Sequence, residues 1–586
     1  MSPLFTMFTC PLAIAVLVLA QIIVPTSSGA QEDVPHIDLG ISFDTGQALL
    51  RGTMKVEIAS QQAITFRLDG LRVTGAVISS AGQENRSVVL SGSPVLSLEP
   101  SAHEKTLFIS YEKGVSDGFR DIISPESIVL TSLWHPLPDS RSTFSVKAQV
   151  PPGFTAVCES DSFSETSPDG SAYFSFSQPV FSLNFAAAPY VMQSSQVRDG
   201  LHVHTLFFPE DQHLAPDYLS AAVEYIKRYE RLIGPFPYNH YLIVENVNPT
   251  GFGMPTFTLL GKQVLKLPFI KETSLGHEIL HSWFGNSVTV SRDSGNWCEG
   301  LTTYLADMAY RDDRGEGVLS RKEKILEYLS YVTAITSPLN QFHSAGHSTD
   351  TNRAVRAVGY GRSAMLFHEL NSRLGEKHFY QAIRDFYKQY SGSAASWQDL
   401  EEIFANQSGE NLQRFFDERL NTTHLPDIVA TDLRVLQESE TSSLSFSIEQ
   451  KSPEPFEIMV PFTVKTIAGE NDFRQLITEK TTDISIRLEG YPLELIIDED
   501  YDLMRNLTDR EYVPVWSQLL GNPTTVILAD EQERAIYQPF LDMASRYSWQ
   551  IQDPGESESI DTTGGFLIYL GLSSPLSRSM YGTPPH

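Results

Sequence analysis

His277 and His281 stand four residues apart with Glu278 between them, and this His277-Glu278-Ile279-Leu280-His281 run constrains the chain more than any other stretch. On a helix, side chains at i and i+4 share a face, so both imidazoles can reach one metal ion and the Glu278 carboxylate lies beside them. The run therefore predicts a helix in the middle of the chain, with Glu278 placed to activate a water. Thr273 or Ser274 can cap the start of that helix, and Gly285 can end it. A catalytic zinc site takes three protein ligands and keeps one position open. Glu299 is the candidate third ligand. It opens the next helical stretch, Glu299-Gly-Leu-Thr-Thr-Tyr-Leu-Ala-Asp307, which can deliver a carboxylate by packing antiparallel against the first helix.

At 586 residues the chain is too long for one core, because cores stop growing near 250–300 residues. Apolar residues make up 41% and charged residues 20%, which suits packed domains and argues against wholesale disorder. The net charge of -29, from 43 basic and 72 acidic residues, disfavours nucleic acid as a partner, since phosphate binding needs clustered Lys and Arg. Of the three cysteines, Cys10 lies in an apolar leader, and Cys158 and Cys298 leave pairing open. The leader, residues 1–30, has no charged side chain and an apolar run from Leu12 to Val24, and it ends in Ser28-Gly29-Ala30. It reads as a signal peptide of a secreted or periplasmic protein. Because the usual basic residue near the start is missing, an uncleaved N-terminal anchor is the alternative. No later segment is apolar enough to cross a bilayer, so no stable span is expected after cleavage.

The hydrophobic pattern predicts a multidomain α+β chain. Residues 31–197 carry short alternating runs, such as Lys105–Tyr111 and Ser142–Val150, separated by Gly, Pro, Ser and Asp; they read as a β-sandwich or saddle. Residues 198–425 are mainly helical. Leu219, Ala222, Val223, Ile226, Tyr229 and Ile233 recur at helical spacing between Pro216 and Gly234. Glu376–Tyr390 reads as another helix, and Ser396-Trp-Gln-Asp399 as the start of a third. Alternation returns in residues 426–512, a second β-sandwich. Residues 513–586 read as a short α/β tail, with a helix from Glu531 to Trp549 that Pro539 should kink or split.

Gly276-His-Glu-Ile-Leu-His-Ser-Trp-Phe-Gly-Asn286, followed by Trp297-Cys-Glu-Gly300, resembles the aminopeptidase N family of gluzincin zinc metallopeptidases, which includes leukotriene hydrolase enzymes. Trp134-His-Pro-Leu-Pro-Asp139, Gly234-Pro-Phe-Pro-Tyr238, Gly359-Tyr-Gly-Arg-Ser-Ala-Met-Leu-Phe367 and Arg414-Phe-Phe-Asp417 extend the likeness. The resemblance implies a thermolysin-like catalytic domain, a peptide or protein substrate, and one Zn(2+) per chain on His277, His281 and Glu299. It implies Glu278 as general base and Tyr360 as an oriented donor to the developing oxyanion.

Two departures stand out. Seventeen residues separate His281 from Glu299 where the family has eighteen, so either a loop residue between Val290 and Trp297 is deleted or Glu299 is not the ligand. The family's Gly-x-Met-Glu-Asn motif, whose Glu grips the substrate amine, corresponds to Gly251-Phe-Gly-Met-Pro-Thr256, with Pro255 at the Glu position. Gly253 and Met254 remain as substrate-binding candidates, Thr256–Leu260 as an edge strand for substrate, and Glu245 as a replacement carboxylate. Loss of amine recognition would permit endopeptidase action or blocked peptides. A non-peptidase zinc hydrolase and an inactive binding protein are the alternatives. Trp283, Phe284 and Trp297 read as core, Cys298 as a small buried residue, and His343 and His347 as loop histidines.

Overall fold

The structure is a computed structural model that describes residues 34–571, apart from 81–84, 89–92, 116–119, 249–250, 333–335, 344–352, 439–440, 509–510, 512–523, 529–533 and 553–565. The leader and His347 lie outside the described residues. It begins with β-sheet. A seven-stranded sheet is built around Leu49–Ile58, paired antiparallel with His36–Asp44 on one side and Lys105–Gly114 on the other. Smaller sheets of three and four strands complete the unit. Alternation does its expected work here: Leu107, Ile109 and Tyr111 point inward while their neighbours face out. Trp134 is fully buried, and its indole N–H donates to the Leu183 carbonyl at 2.7 Å.

A five-stranded sheet follows, in the order Val191–Arg198, Leu201–Phe207, His240–Asn246, Phe257–Gly261, Gly251–Gly253. Since Val191–Arg198 pairs with Leu201–Phe207, this hairpin already belongs to the sheet that supports the helices. The helix Ala215–Leu232 packs on that sheet through Tyr218, Leu219, Ala222, Ile226 and Tyr229. Gly234, at φ +146°, turns the chain beyond its end. Helices then dominate to Asn421. Glu376–Tyr390 is one of them. Trp397–Ser408 starts with the full reciprocal cap, in which the Ser396 hydroxyl accepts from the Asp399 N–H and the Asp399 carboxylate accepts from the Ser396 N–H.

The second β-sandwich places Ile428–Glu438, Thr441–Gln450 and Thr481–Glu489 in one sheet and Ile458–Thr466, Gly469–Ile477 and Pro492–Ile497 in the other. Phe446, Ile448, Val460, Phe462 and Val464 fill the space between them. Among the described residues of the α/β tail there are three parallel strands and one helix, Arg534–Arg546. Of the kink or split expected at Pro539, the split does not occur: the helix runs on through that residue. The ring deletes one backbone donor, and Leu541 and Ala544 still bury their face. Cys158 and Cys298 are both free and buried. Among the described residues no helix is long and apolar enough to cross a membrane.

Candidate metal centre

Ser274–Leu280 forms the helix that carries the two histidines, with His281 at its C-terminal cap. Its start is not capped as expected: the Thr273 hydroxyl donates to the Phe269 carbonyl at 2.8 Å instead of accepting from the helix. The helix is held from below. Tyr229 donates to the Gly276 carbonyl at 3.0 Å, and a Cβ on Gly276 would strike the Tyr310 ring. Trp283, Phe284 and Trp297 are fully buried, and the two indoles donate to the carbonyls of Gly234 and Ala395. They are core, as the sequence suggests.

The second helix starts at Cys298 and puts Glu299 in its first turn. Gly300 is explained by packing: a Cβ there would collide with Ser363, at the start of the helix Ser363–Leu374. The seventeen-residue spacing thus delivers Glu299 to the histidines. Its Oε2 lies 3.7 Å from the Nε2 of His277 and 3.7 Å from the Nε2 of His281. One ligand atom from each of the three residues lies within 4.8 Å of the others. The opposite face of each ring is tied down. Nδ1 of His277 meets Asp307 at 3.0 Å, and Nδ1 of His281 meets the Phe284 carbonyl at 3.0 Å. Such outer partners fix the tautomer and aim Nε2 inward.

Tyr360 comes from a third element, the π-helical turn Ala357–Arg362 that runs into Ser363–Leu374. Its hydroxyl lies close enough to Glu299 for the two groups to interact, and its ring lies near-parallel to His277, with 6.5 Å between centroids. Gly359 leaves room for the Phe342 ring, which abuts Tyr360 edge-on. Burial would raise the Glu299 carboxyl, but the nearby His277 and His281 outweigh it and hold it at about 2. Burial pushes Glu278 up, and the two histidines only partly offset this. Burial, then the nearby Glu299 charge, pushes the Tyr360 phenol up.

The sheet meets the site at its edge. The outermost strand is Gly251–Gly253, antiparallel to Phe257–Gly261, so the expectation that Thr256–Leu260 forms the edge is corrected. Phe257–Gly261 is internal because it also pairs with His240–Asn246. A Cβ on Gly253 would sit 2.8 Å from Oε2 of Glu278, and one on Gly251 3.4 Å from Oε1. The two glycines let the edge backbone lie directly against the Glu278 carboxylate. Met254 is not free for substrate: its side chain is buried in an apolar cluster with Leu242, Val244 and Phe257, and its N–H donates to the Phe257 carbonyl. Glu245 does not join the site either. It is fully buried, its Oε2 accepts from the Phe208 N–H at 2.8 Å, and its other neighbours are Asp211 and Lys262. The Phe208 backbone, just past the strand Leu201–Phe207, takes its carboxylate, not the metal group.

Asp307 was missed in the sequence because it stands eight residues after Glu299, which on a regular helix of about 100° per residue is well off the same face. The π-helical segment Tyr304–Met308 inserts an extra residue per turn, and this returns Asp307 to the metal side. Cys298 also approaches the site, with Sγ 3.4 Å from Nδ1 of His281 and 3.0 Å from the Phe284 carbonyl.

Residues 271–418 match the Peptidase family M1 domain. Across 456 residues, 71% of this chain and 56% of the relative, the chain is 20% identical to leucyl aminopeptidase of Saccharolobus solfataricus. It is 28% identical over 180 residues to aminopeptidase B of Mus musculus, covering 28% of this chain and 26% of that protein. Aminopeptidase N of Escherichia coli is 21% identical over 275 residues, 44% of this chain and 28% of the relative. The chain thus spans little more than half the length of the first of these relatives and less of the others. The matched segment contains His277, Glu278, His281, Glu299 and Tyr360, the residues that the fold gathers around one point, and through that segment the chain is similar to peptidase family M1.

Proposed function

We propose that the chain is a zinc-dependent, aminopeptidase-like metallopeptidase that hydrolyses peptide bonds. The observation that carries the proposal is the convergence of two imidazole nitrogens and one carboxylate beside the Glu278 carboxylate, which itself abuts an open strand edge. The donor set fits zinc: two nitrogens and one oxygen, partly buried, each histidine held by an outer partner. Zinc bound there would polarise the scissile carbonyl and lower the pKa of a water to about 7.

The protein's own groups supply the rest. A peptide laid along Gly251–Gly253 can add as a further strand, which orients its backbone across Glu278. Glu278 takes a proton from the attacking water and passes it to the leaving amine. The Tyr360 hydroxyl donates to the oxyanion as charge develops there. Because burial raises Glu278, the base ionises later than an ordinary carboxyl. Activity should fall as pH drops through that raised value.

A second reading concerns the substrate terminus. Glu245 is tied to the Phe208 N–H, and the edge strand Gly-Phe-Gly carries no carboxylate. Both facts support action on peptides whose α-amine is not gripped by an acidic side chain from this strand, including blocked or internal sites. The test is zinc content together with cleavage of free and N-acetylated peptides, for wild type and Glu278→Gln. Both proteins should hold about one zinc per chain, and only wild type should cleave. A zinc-loaded wild type inert to both peptides would end the peptidase proposal. Strict need for a free amine would end the second reading.

A further inference from the structure

The turn that presents Tyr360 carries another side chain at the same place. Arg356 lies four residues earlier, and its guanidinium carbon stands 4.3 Å from the centre of the Tyr360 ring. The same ring faces His277 at 13° with centroids 6.5 Å apart, so the guanidinium is no farther from that histidine than these two distances laid end to end. Arg356 is exposed, and among the described residues no carboxylate pairs with it. Its neighbours are committed elsewhere. Arg353 donates to the Tyr331 hydroxyl at 2.6 Å, and the buried Arg362 donates to the Tyr328 hydroxyl at 2.6 Å.

A guanidinium stacked on a ring uses only its face for that contact. Its N–H donors remain in the plane, arranged as a fork that matches a carboxylate. The ring also limits its rotamers, so less entropy is lost when a partner binds. The other charges around the centre, Glu278, Glu299 and Asp307, are acidic, and the whole chain carries -29. An arginine held on the ring that faces His277, with no carboxylate partner among the described residues, is therefore a local anion site in an acidic protein.

We propose that Arg356 is a specificity residue that binds a carboxylate of the substrate, about two to three residues from the scissile bond at roughly 3.3–3.6 Å per extended residue. The carboxylate can be the C-terminus of a short peptide or an acidic side chain. The assignment rests on the peptidase reading, and the test separates the two.

Penta-alanine serves as the probe, as free acid and as C-terminal amide, together with the amide bearing Glu or Gln at one internal position. With zinc-loaded full chain, kcat/KM is measured for wild type, Arg356→Gln and Arg356→Lys. Wild type should prefer a carboxylate-bearing peptide on the order of tenfold or more, the scale of a charge-assisted hydrogen bond. The preference should collapse toward one in Arg356→Gln and persist in part in Arg356→Lys. A ratio that moves between acid and amide identifies the terminus as the source, and one that moves between Glu and Gln identifies a side chain. If all peptides fall by the same factor in Arg356→Gln, or the ratios do not change, the residue is structural and the proposal is overturned. Calorimetric binding of the same peptides to zinc-loaded Glu278→Gln, with and without Arg356→Gln, gives a readout that needs no cleavage. A carboxylate preference there that disappears with Arg356 upholds the subsite even if wild type cleaves no peptide. Equal binding of acid and amide overturns it.

Discussion

At the scale of residues, the centre depends on groups that touch no substrate. His277 can present Nε2 inward only if Nδ1 has a partner, and Asp307 is that partner at 3.0 Å. Burial would keep His277 neutral, but the Asp307 charge and hydrogen bond raise it well above its ordinary value. With a metal bound, Asp307 would make the ring a stronger donor. Replacing Asp307 by Asn keeps the shape and removes the charge. Metal affinity should fall about 10–100-fold, read by competition with a chelator of known strength. Unchanged affinity would show that Asp307 only fills space.

At the scale of elements, the site is an agreement between a helix, a sheet edge and two π-helical turns. The glycines of Gly251–Gly253 matter for what they lack. Gly253→Ala would put a methyl 2.8 Å from Oε2 and 3.1 Å from the carbonyl of Glu278. The backbone atom cannot swing away as a side chain can, so strand or helix must shift, at a cost of about 1–3 kcal/mol. Expressed on the transition state, this lowers kcat about ten- to a hundredfold, with zinc content unchanged. A variant with wild-type kcat would show that the strand and Glu278 are less closely coupled than the geometry indicates. The π-helical segments Tyr304–Met308 and Ala357–Arg362 act similarly. Each shifts the helical register by a residue and re-aims a side chain, Asp307 in one and Tyr360 in the other.

At the scale of the whole molecule, the second β-sandwich is bonded to the catalytic helices through buried charge. Arg419 donates to Glu369 at 2.6 Å, both almost wholly buried, and stacks on Phe415 at 3.7 Å. The other oxygen of Glu369 accepts from the Met504 N–H at 3.0 Å, beyond the sandwich strands. Arg419 also donates to the Glu457 carbonyl at 3.3 Å. Breaking such a pair on one side leaves a buried charge without its partner. Arg419→Ala should cost about 3–5 kcal/mol, seen as a lower denaturant midpoint. A loss below about 1 kcal/mol, the value of an exposed pair, would show that the two units are not joined here. His368 and Arg321, both paired with Asp502, extend the same seam.

Read without its fold, the chain already specifies what depends on neighbours in sequence. The i and i+4 histidines, the amphipathic Ala215–Leu232 and Glu376–Tyr390, the Ser396–Asp399 cap and the alternating strands all follow from periods of 3.6 and 2. Glu299 entered as the opening residue of the next helical stretch and gained its role from the resemblance, because nothing local ties it to His281 across seventeen residues. What the tertiary structure alone decided is which strand is the edge, where each acid points and how a helix is over- or underwound. Phe257–Gly261 has the composition of a strand wherever it sits, and only its pairing on both sides made it internal. Glu245 is a carboxylate in sequence, and only packing under Phe208 removed it from the site. Asp307 and Arg356 look like surface charges until a π turn and a tyrosine ring place them. Strand pairing and helix register are set by contacts between residues far apart in the chain, and a local pattern of apolar and polar residues carries no record of them.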